Sequence, residues 1–316
     1  MEDAIVIVRS SAERTERICR NLVLGELPED RLYTVQERPF SAAVRRCYEI
    51  GISSGANWII TVDADVLLRR GALEGLLREA KRMPRRYFQI EGMVLDKLMH
   101  RFRWASHRCY RGEYLPLALD VLSEASADLR PESTTIRLME SLGYGARRSH
   151  RLYGVHDFEQ FYVDIYRKAL VHAAKHPQWA AEMFSIWKAT SASDPDSCVA
   201  LRGAVDGLTL EIEARADVEH YRAPAQCALS DLGLAEKAAM SDISSQVIEK
   251  WIESFRAAPN VQRFCGPRPY KWRERIWALQ SCYGLVQALP YVLGAMLRQA
   301  GESMVNYSER HKRWPD

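Results

Sequence analysis

The chain has 316 residues, 47% of them hydrophobic and 27% charged, a balance that suits an ordinary globular protein of one large domain or two modest ones. Its net charge of +3, from 44 basic and 41 acidic residues, is too small to argue for a nucleic-acid partner. Seven scattered cysteines without a CxxC pair argue against a disulfide framework or a zinc knuckle.

The opening MEDAIVIVRSS is acidic and runs straight into a strand pattern, so a secretion signal is not expected and a cytoplasmic location is. AIVIV (4–8) is a short β-rich run, and residues 12–24 have helical spacing at Ile18, Leu22 and Val23. RLYTVQ (31–36) is strand-like again. Residues 41–53 predict a helix that Ser41 caps and Gly51 helps to end, and NWIITV follows as a strand. Strands alternating with helices of this length predict crossover units and an α/β fold with a mostly parallel sheet covered on both faces. Between Arg69 and Arg111, basic residues outnumber acidic ones by twelve to four. This stretch suits phosphates or an anionic membrane surface, and equally a solvated basic face.

NWIITVDADVLLRRGALEGLL (57–77) sets Asp63 and Asp65 at the end of an apolar run. In open parallel sheets, ligands bind beyond the carboxyl ends of the strands. Both carboxylates are therefore expected to face a cleft, exposed enough to stay ionised. Two carboxylates this close repel unless a cation lies beside them, and oxygen ligands select a hard divalent ion, Mg2+ or Mn2+. The structural alternative is that Asp63 caps a turn and Asp65 leads into the helix starting near Gly71.

The run FSAAVRRCYEIGISSGANWIITVDADVLLRRGALEGLL resembles the middle of a GT-A fold, Rossmann-like nucleotide-sugar-dependent glycosyltransferase, most similar to glycosyltransferase family 2, over about residues 4–165. In that pattern an alanine-rich helix precedes a strand ending in Asp-x-Asp, and a new helix follows. The resemblance implies a nucleotide-sugar donor held at the ends of the first strands, where Arg9 and Glu37 fall, with Arg45 a further candidate. It implies that Asp63 lies near the ribose or metal and that Asp65 holds the metal, Mn2+ or Mg2+. Surface salt bridging is the plain alternative for Arg9, Glu37 and Arg45.

HDFEQ (156–160) stands where that family carries a Glu-Asp pair with the Asp as base. Asp157 matches the base, and His156 replaces the Glu. His156 is then a candidate third metal ligand, since an imidazole joins two carboxylates more readily around Mn2+ than Mg2+. The chemistry asks for this set: a metal to neutralise the leaving diphosphate and a carboxylate to take the acceptor's proton, with in-line attack inverting the anomeric centre. Asp157 with Gln160 equally fits a capping box opening a helix from Phe158 to His176. His172 and His176 are four apart on that helix, a weak zinc pattern.

A rival reading takes Asp63 as the nucleophile of a haloacid-dehalogenase-like phosphatase, with Asp65 as its acid-base. A third is a non-catalytic scaffold with a degenerate transferase domain. From residue 166 the strand alternation stops, and residues 177–189, 228–240, 244–258 and 272–301 read as helices, with GPRP (266–269) as a break. The expected domains are thus 1–165, catalytic, and 166–316, mainly helical. Ile276–Leu297 carries no charge but is interrupted by Gln280, Ser281, Gln287 and Pro290. A core helix suits it better than a span, with peripheral contact at the inner face of the membrane as the alternative. The resemblance implies a glycan or lipid-linked acceptor in bacterial surface polysaccharide synthesis.

Overall fold

In the computed structural model, which describes residues 1–125, 131–175, 180–209, 218–257 and 293, the first apolar runs pair as predicted. Strand β1 (Ala4–Arg9) lies between β2 (Leu32–Val35) and β3 (Trp58–Asp63), parallel to both. All of β1 is buried, and so is all of β3 except Asp63. Unbroken apolar strands of this kind need cover on both faces. Residues Ala4, Val6 and Val8 pack with Ile18, Cys19 and Val23 of α1 (Glu16–Leu24), while Ile5 and Ile7 pack with Val44, Cys47 and Tyr48 of α2 (Phe40–Ser54). The period of two along β1 thus serves two cores.

Beyond β3 the sheet becomes mixed. A short β4 (Val66–Leu68) follows the Asp-x-Asp turn and leads to α3 (Ala72–Lys81). Strands β5 (Tyr87–Asp96) and β6 (Arg101–Arg111) form an antiparallel hairpin, and β7 (Gly145–His156) runs parallel to β5 and antiparallel to β4. The strand order is β2-β1-β3-β6-β5-β7-β4. The fold class is α/β, as expected, but parallel pairing is confined to β2-β1-β3 and β5-β7. The cause is the short connection from Asp96 to Arg101, which cannot make a crossover and so forces an antiparallel return.

Helices α4 (Leu115–Ala125) and α5 (Pro131–Ser141) join α2 on one face of the sheet. Helices α6 (Tyr162–Lys175), α7 (Ala180–Thr190), α8 (Pro195–Thr209) and α9 (Arg222–Asp231) bury a separate cluster around Tyr166, Trp187 and Tyr221. Leu98 and Met99 of the β5–β6 connection enter that cluster, and the Trp187 indole N–H donates to the Leu98 carbonyl at 2.7 Å. Ile248 and Ile252 of α10 (Ser245–Ala257) return to the sheet core. The described residues from Met1 to Ala257 belong to one compact unit.

Several boundaries differ from the sequence reading, each for a local reason. Pro39, not Ser41, precedes α2, and Gly55 at φ +63°, not Gly51, closes it. Gly51 is instead buried where a Cβ would lie 2.4 Å from the Leu115 side chain. The helix expected over 228–240 stops at Asp231, because Gly233 turns left-handed at φ +66° and the Leu234 N–H returns to the Leu229 carbonyl. Residues 266–301, with the expected final helix and the 276–297 segment, lie outside the described residues except for residue 293. Among those described, no helix is long and apolar enough to cross a membrane.

At Gly154 of β7 the backbones of β4 and β7 lie close: a Cβ there would meet the Leu67 carbonyl oxygen at 2.6 Å. Since backbone cannot yield as a side chain does, Gly154→Ala is expected to cost about 1–3 kcal/mol of unfolding free energy in urea titration. An unchanged midpoint would show that the β4–β7 pairing is looser than described.

Candidate active site

Strands β3, β5 and β7 deliver acidic or imidazole groups at one end of the sheet. The β1–β3 register pairs Arg9 with Asp63, and the β5–β7 register pairs Asp96 with His156. Val66 of β4 pairs with His156, and the Asp157 N–H donates to the Asp65 carbonyl at 3.0 Å, which draws the Asp-x-Asp turn against the end of β7. Asp157 adopts φ +56°, a left-handed conformation that aspartate tolerates better than most residues but still at a cost.

Asp65, His156 and Asp157 come together. One ligand atom from each lies within 4.8 Å of the others, and all three residues are buried. His156 Nδ1 is 2.9 Å from Asp157 Oδ2 and 3.2 Å from Asp96 Oδ2, while Nε2 is 3.4 Å from Asp65 Oδ2. Lys168, reaching in from α6, places its ammonium 2.7 Å from Asp65 Oδ2 and also donates to Asp157 Oδ1. Asp65 Oδ1 is buried with no hydrogen-bond partner among the described residues. Behind His156, Arg103 donates to Asp96, whose other oxygen accepts the Met99 N–H at 2.8 Å.

The expectation that Asp65 is exposed enough to stay ionised is therefore corrected. Its side chain is only 11% exposed, whereas that of Asp63 is 26% exposed. Burial alone would raise the Asp65 carboxyl, but the charges of His156 and Lys168 outweigh it and hold the group well below the usual carboxylate range. His156 is raised in turn: burial opposes its charge, and Asp157 and Asp65 overcome that opposition. A ligating imidazole must be unprotonated, so a cation entering here displaces protons.

Asp63 faces a second network. The Arg9 Nε donates to Asp63 Oδ1 at 2.7 Å, and its Nη1 donates to Glu132 Oε1 of α5 at 2.8 Å. Glu132 also accepts from Tyr110 and Arg108, and Arg108 reaches Glu91 at 2.7 Å. Arg9 is almost wholly buried under the Phe40 ring, so it forms an interior ion pair rather than a surface one. Glu37 is exposed beside Arg46 at 3.7 Å, and Arg45 donates to Ser123 at 3.1 Å. Neither reaches the Asp65 cluster among the described contacts.

Asp157 does not cap a helix. Helix α6 starts at Tyr162, not Phe158, and its first free amides, those of Tyr162 and Val163, donate to Glu236 at 2.7 and 3.0 Å. Gln160 donates to Thr15 at 3.2 Å. His172 lies on α6, and its expected partner His176 is outside the described residues.

Sequence reasoning passed over Lys168, Asp96, Arg103, Glu132 and Glu13. Only Lys168 left a signal, a lysine three residues after buried Ile165 and so beside the apolar stripe of α6. Glu13, in the loop after β1, accepts from Ser10 at 3.0 Å and from the Ser11 amide at 2.7 Å. Burial, then the charge of Asp65, pushes it up to about 7.

No family model and no curated protein sequence matches the chain significantly. Three solved structures show a distant likeness. A197 from STIV has a TM-score of 0.29 at 10% identity, over 36% of this chain and 66% of that one. A glycosyltransferase involved in glycosylation of the PBCV-1 major capsid has 0.36 at 10%, over 49% and 94%. The mannosyltransferase PcManGT from Pyrobaculum calidifontis, in complex with GDP-Man and Mn2+, has 0.34 at 15%, over 92% and 87%. At these scores the likeness assigns no role to any residue.

The Glu132 network makes a pH prediction. Burial opposes ionisation of Glu132, but Arg108 and Arg9 bring it from 4.5 down to about 2. A depressed carboxyl stabilises the fold above its unfolded pKa and loses that contribution as pH falls toward 2, here about 3 kcal/mol. Wild type is therefore expected to exceed Glu132→Gln in urea stability at pH 7, with the gap shrinking by pH 3. A gap that does not change with pH would contradict the network.

Proposed function

We propose that the chain is a metal-dependent glycosyltransferase of GT-A type, moving a sugar from a nucleotide-diphosphate donor to a hydroxyl of a glycan or lipid-linked acceptor with inversion. The observation that carries this reading is the convergence of Asp65, His156 and Asp157 within 4.8 Å at the end of β3 and β7. A buried Asp65 oxygen without a hydrogen-bond donor is what an absent cation would leave. Two carboxylates and one imidazole suit Mn2+ better than Mg2+.

In this reading Asp65, His156 and one oxygen of Asp157 hold the metal. The metal, when bound, would neutralise charge on the leaving diphosphate. Asp63 stands next to it toward the ribose, kept in place by Arg9. The remaining oxygen of Asp157 is the acceptor base, consistent with the resemblance in sequence. Asp96 and Arg103 fix the His156 ring from behind, the supporting role that outer groups play at ligand histidines. Arg9, Glu37 and Arg45 remain donor-side candidates, with Arg9 acting through Asp63. The helical region past residue 165 is proposed to carry the acceptor, and surface-polysaccharide synthesis at the inner face of the membrane is its proposed setting.

Thermal-shift titration with nucleoside diphosphates tests the reading. One nucleotide is expected to raise Tm only with Mn2+ present. Sugar-transfer assays with Asp65→Asn and Asp157→Asn are expected to lose on the order of 100-fold in kcat/KM. Stabilisation by no nucleotide, or full turnover by both variants, would overturn it.

A further inference from the structure

The Asp65, His156 and Asp157 cluster already contains a cation that belongs to the protein. Lys168 extends from α6, and its ammonium contacts Asp65 Oδ2 at 2.7 Å and Asp157 Oδ1 as well. These are the two carboxylates that the metal reading assigns as ligands, so a divalent ion and this ammonium compete for the same two carboxylates. Lys168 is largely buried, with a side-chain exposure of 17%, so its charge is little screened by solvent. The lysine stem has four rotatable carbons, which lets the head group leave without moving the helix. Arg103 is bound to Asp96 behind His156, and its contacts at the cluster are with Asp96 and His156 rather than with the two ligand carboxylates.

We propose that Lys168 is the resident counter-ion of the donor site: it bridges Asp65 and Asp157 when no metal is bound, must yield to an entering divalent cation, and is thereby freed for the anionic donor. This rests on the metal reading given above. It follows that Mn2+ alone binds the wild-type chain weakly. A nucleoside diphosphate, which gives the displaced ammonium a new partner, strengthens that binding.

The test compares wild type with Lys168→Met, which keeps the stem and removes the charge, and with Lys168→Arg, which keeps the charge. Mn2+ binding to the full chain is followed by the loss of the free-ion electron paramagnetic resonance signal, and stability by thermal melting. Lys168→Met is expected to melt lower than wild type without metal, because two buried carboxylates lose their bridge. Mn2+ should restore its Tm, and it should bind Mn2+ roughly tenfold more tightly than wild type. Lys168→Arg should show no such rescue, and adding Asp65→Asn to Lys168→Met should abolish it. Should Lys168→Met fold poorly, Lys168→Gln carries the same comparison, and folding only in the presence of Mn2+ counts as rescue.

A lower Tm in Lys168→Met that Mn2+ does not restore, with Mn2+ affinity no better than wild type, overturns the proposal and leaves Lys168 a structural ion pair. Wild type binding nucleotide with Mn2+ while Lys168→Met gains nothing also sinks it, with the transferase reading intact. Asp65-dependent rescue by Mn2+ without binding of any nucleoside diphosphate supports the counter-ion role and removes the transferase reading.

Discussion

A carboxylate taken out of water must meet a positive partner, and the carboxyl end of this sheet gathers Asp63, Asp65, Asp96, Asp157 and Glu132 within two adjoining networks. Arg9 and Arg108 answer for one network, and Lys168, Arg103 and His156 for the other. Removing a single cation would strand charge in a place that water reaches poorly. The arrangement therefore constrains helix positions as well as side chains. Helix α5 must bring Glu132 to Arg9, and α6 must bring Lys168 to Asp65.

The two networks divide the Asp-x-Asp motif between them. Asp63 belongs to the Arg9 side and keeps some contact with solvent, while Asp65 points to the His156 side and is nearly enclosed. The division falls at the turn of residues 64 and 65, which breaks the extended chain between the end of β3 and the start of β4. The short β4 then pairs with the end of β7, and that pairing brings His156 and Asp157 to Asp65. Gly154 permits the close approach of the two backbones that makes it so.

Much of this was legible in the residues. The order of elements from Ala4 to Asp63 was legible because β1 and β3 are apolar runs buried on both faces and each helix carries an apolar stripe, although the ends of α2 were not. Asp63 and Asp65 announced themselves by closing an apolar run. The β5–β6 hairpin did not, since β5 holds Glu91 and Asp96 and β6 holds Arg103, Arg108 and Arg111, which blur any apolar pattern. Asp96 pairs with Arg103 and Glu91 with Arg108 within the hairpin, and the register shift between Glu91 and Met93 breaks the period further. The ion pairings of the site were hidden for a related reason: Lys168 finds Asp65 across 103 residues, and Arg9 finds Glu132 across 123. Nothing local marks such a pair. Glu37 and Arg45, proposed for the donor by position alone, make surface contacts with Arg46 and Ser123.

The account turns on where a divalent cation settles. Crystals grown with Mn2+ and a nucleoside diphosphate, measured at the manganese absorption edge, would locate it without reference to activity. The account predicts one strong anomalous peak in direct contact with Asp65, His156 and Asp157, with the diphosphate on its open side. A nucleotide bound with no peak there, or manganese bound only elsewhere on the chain, would contradict it.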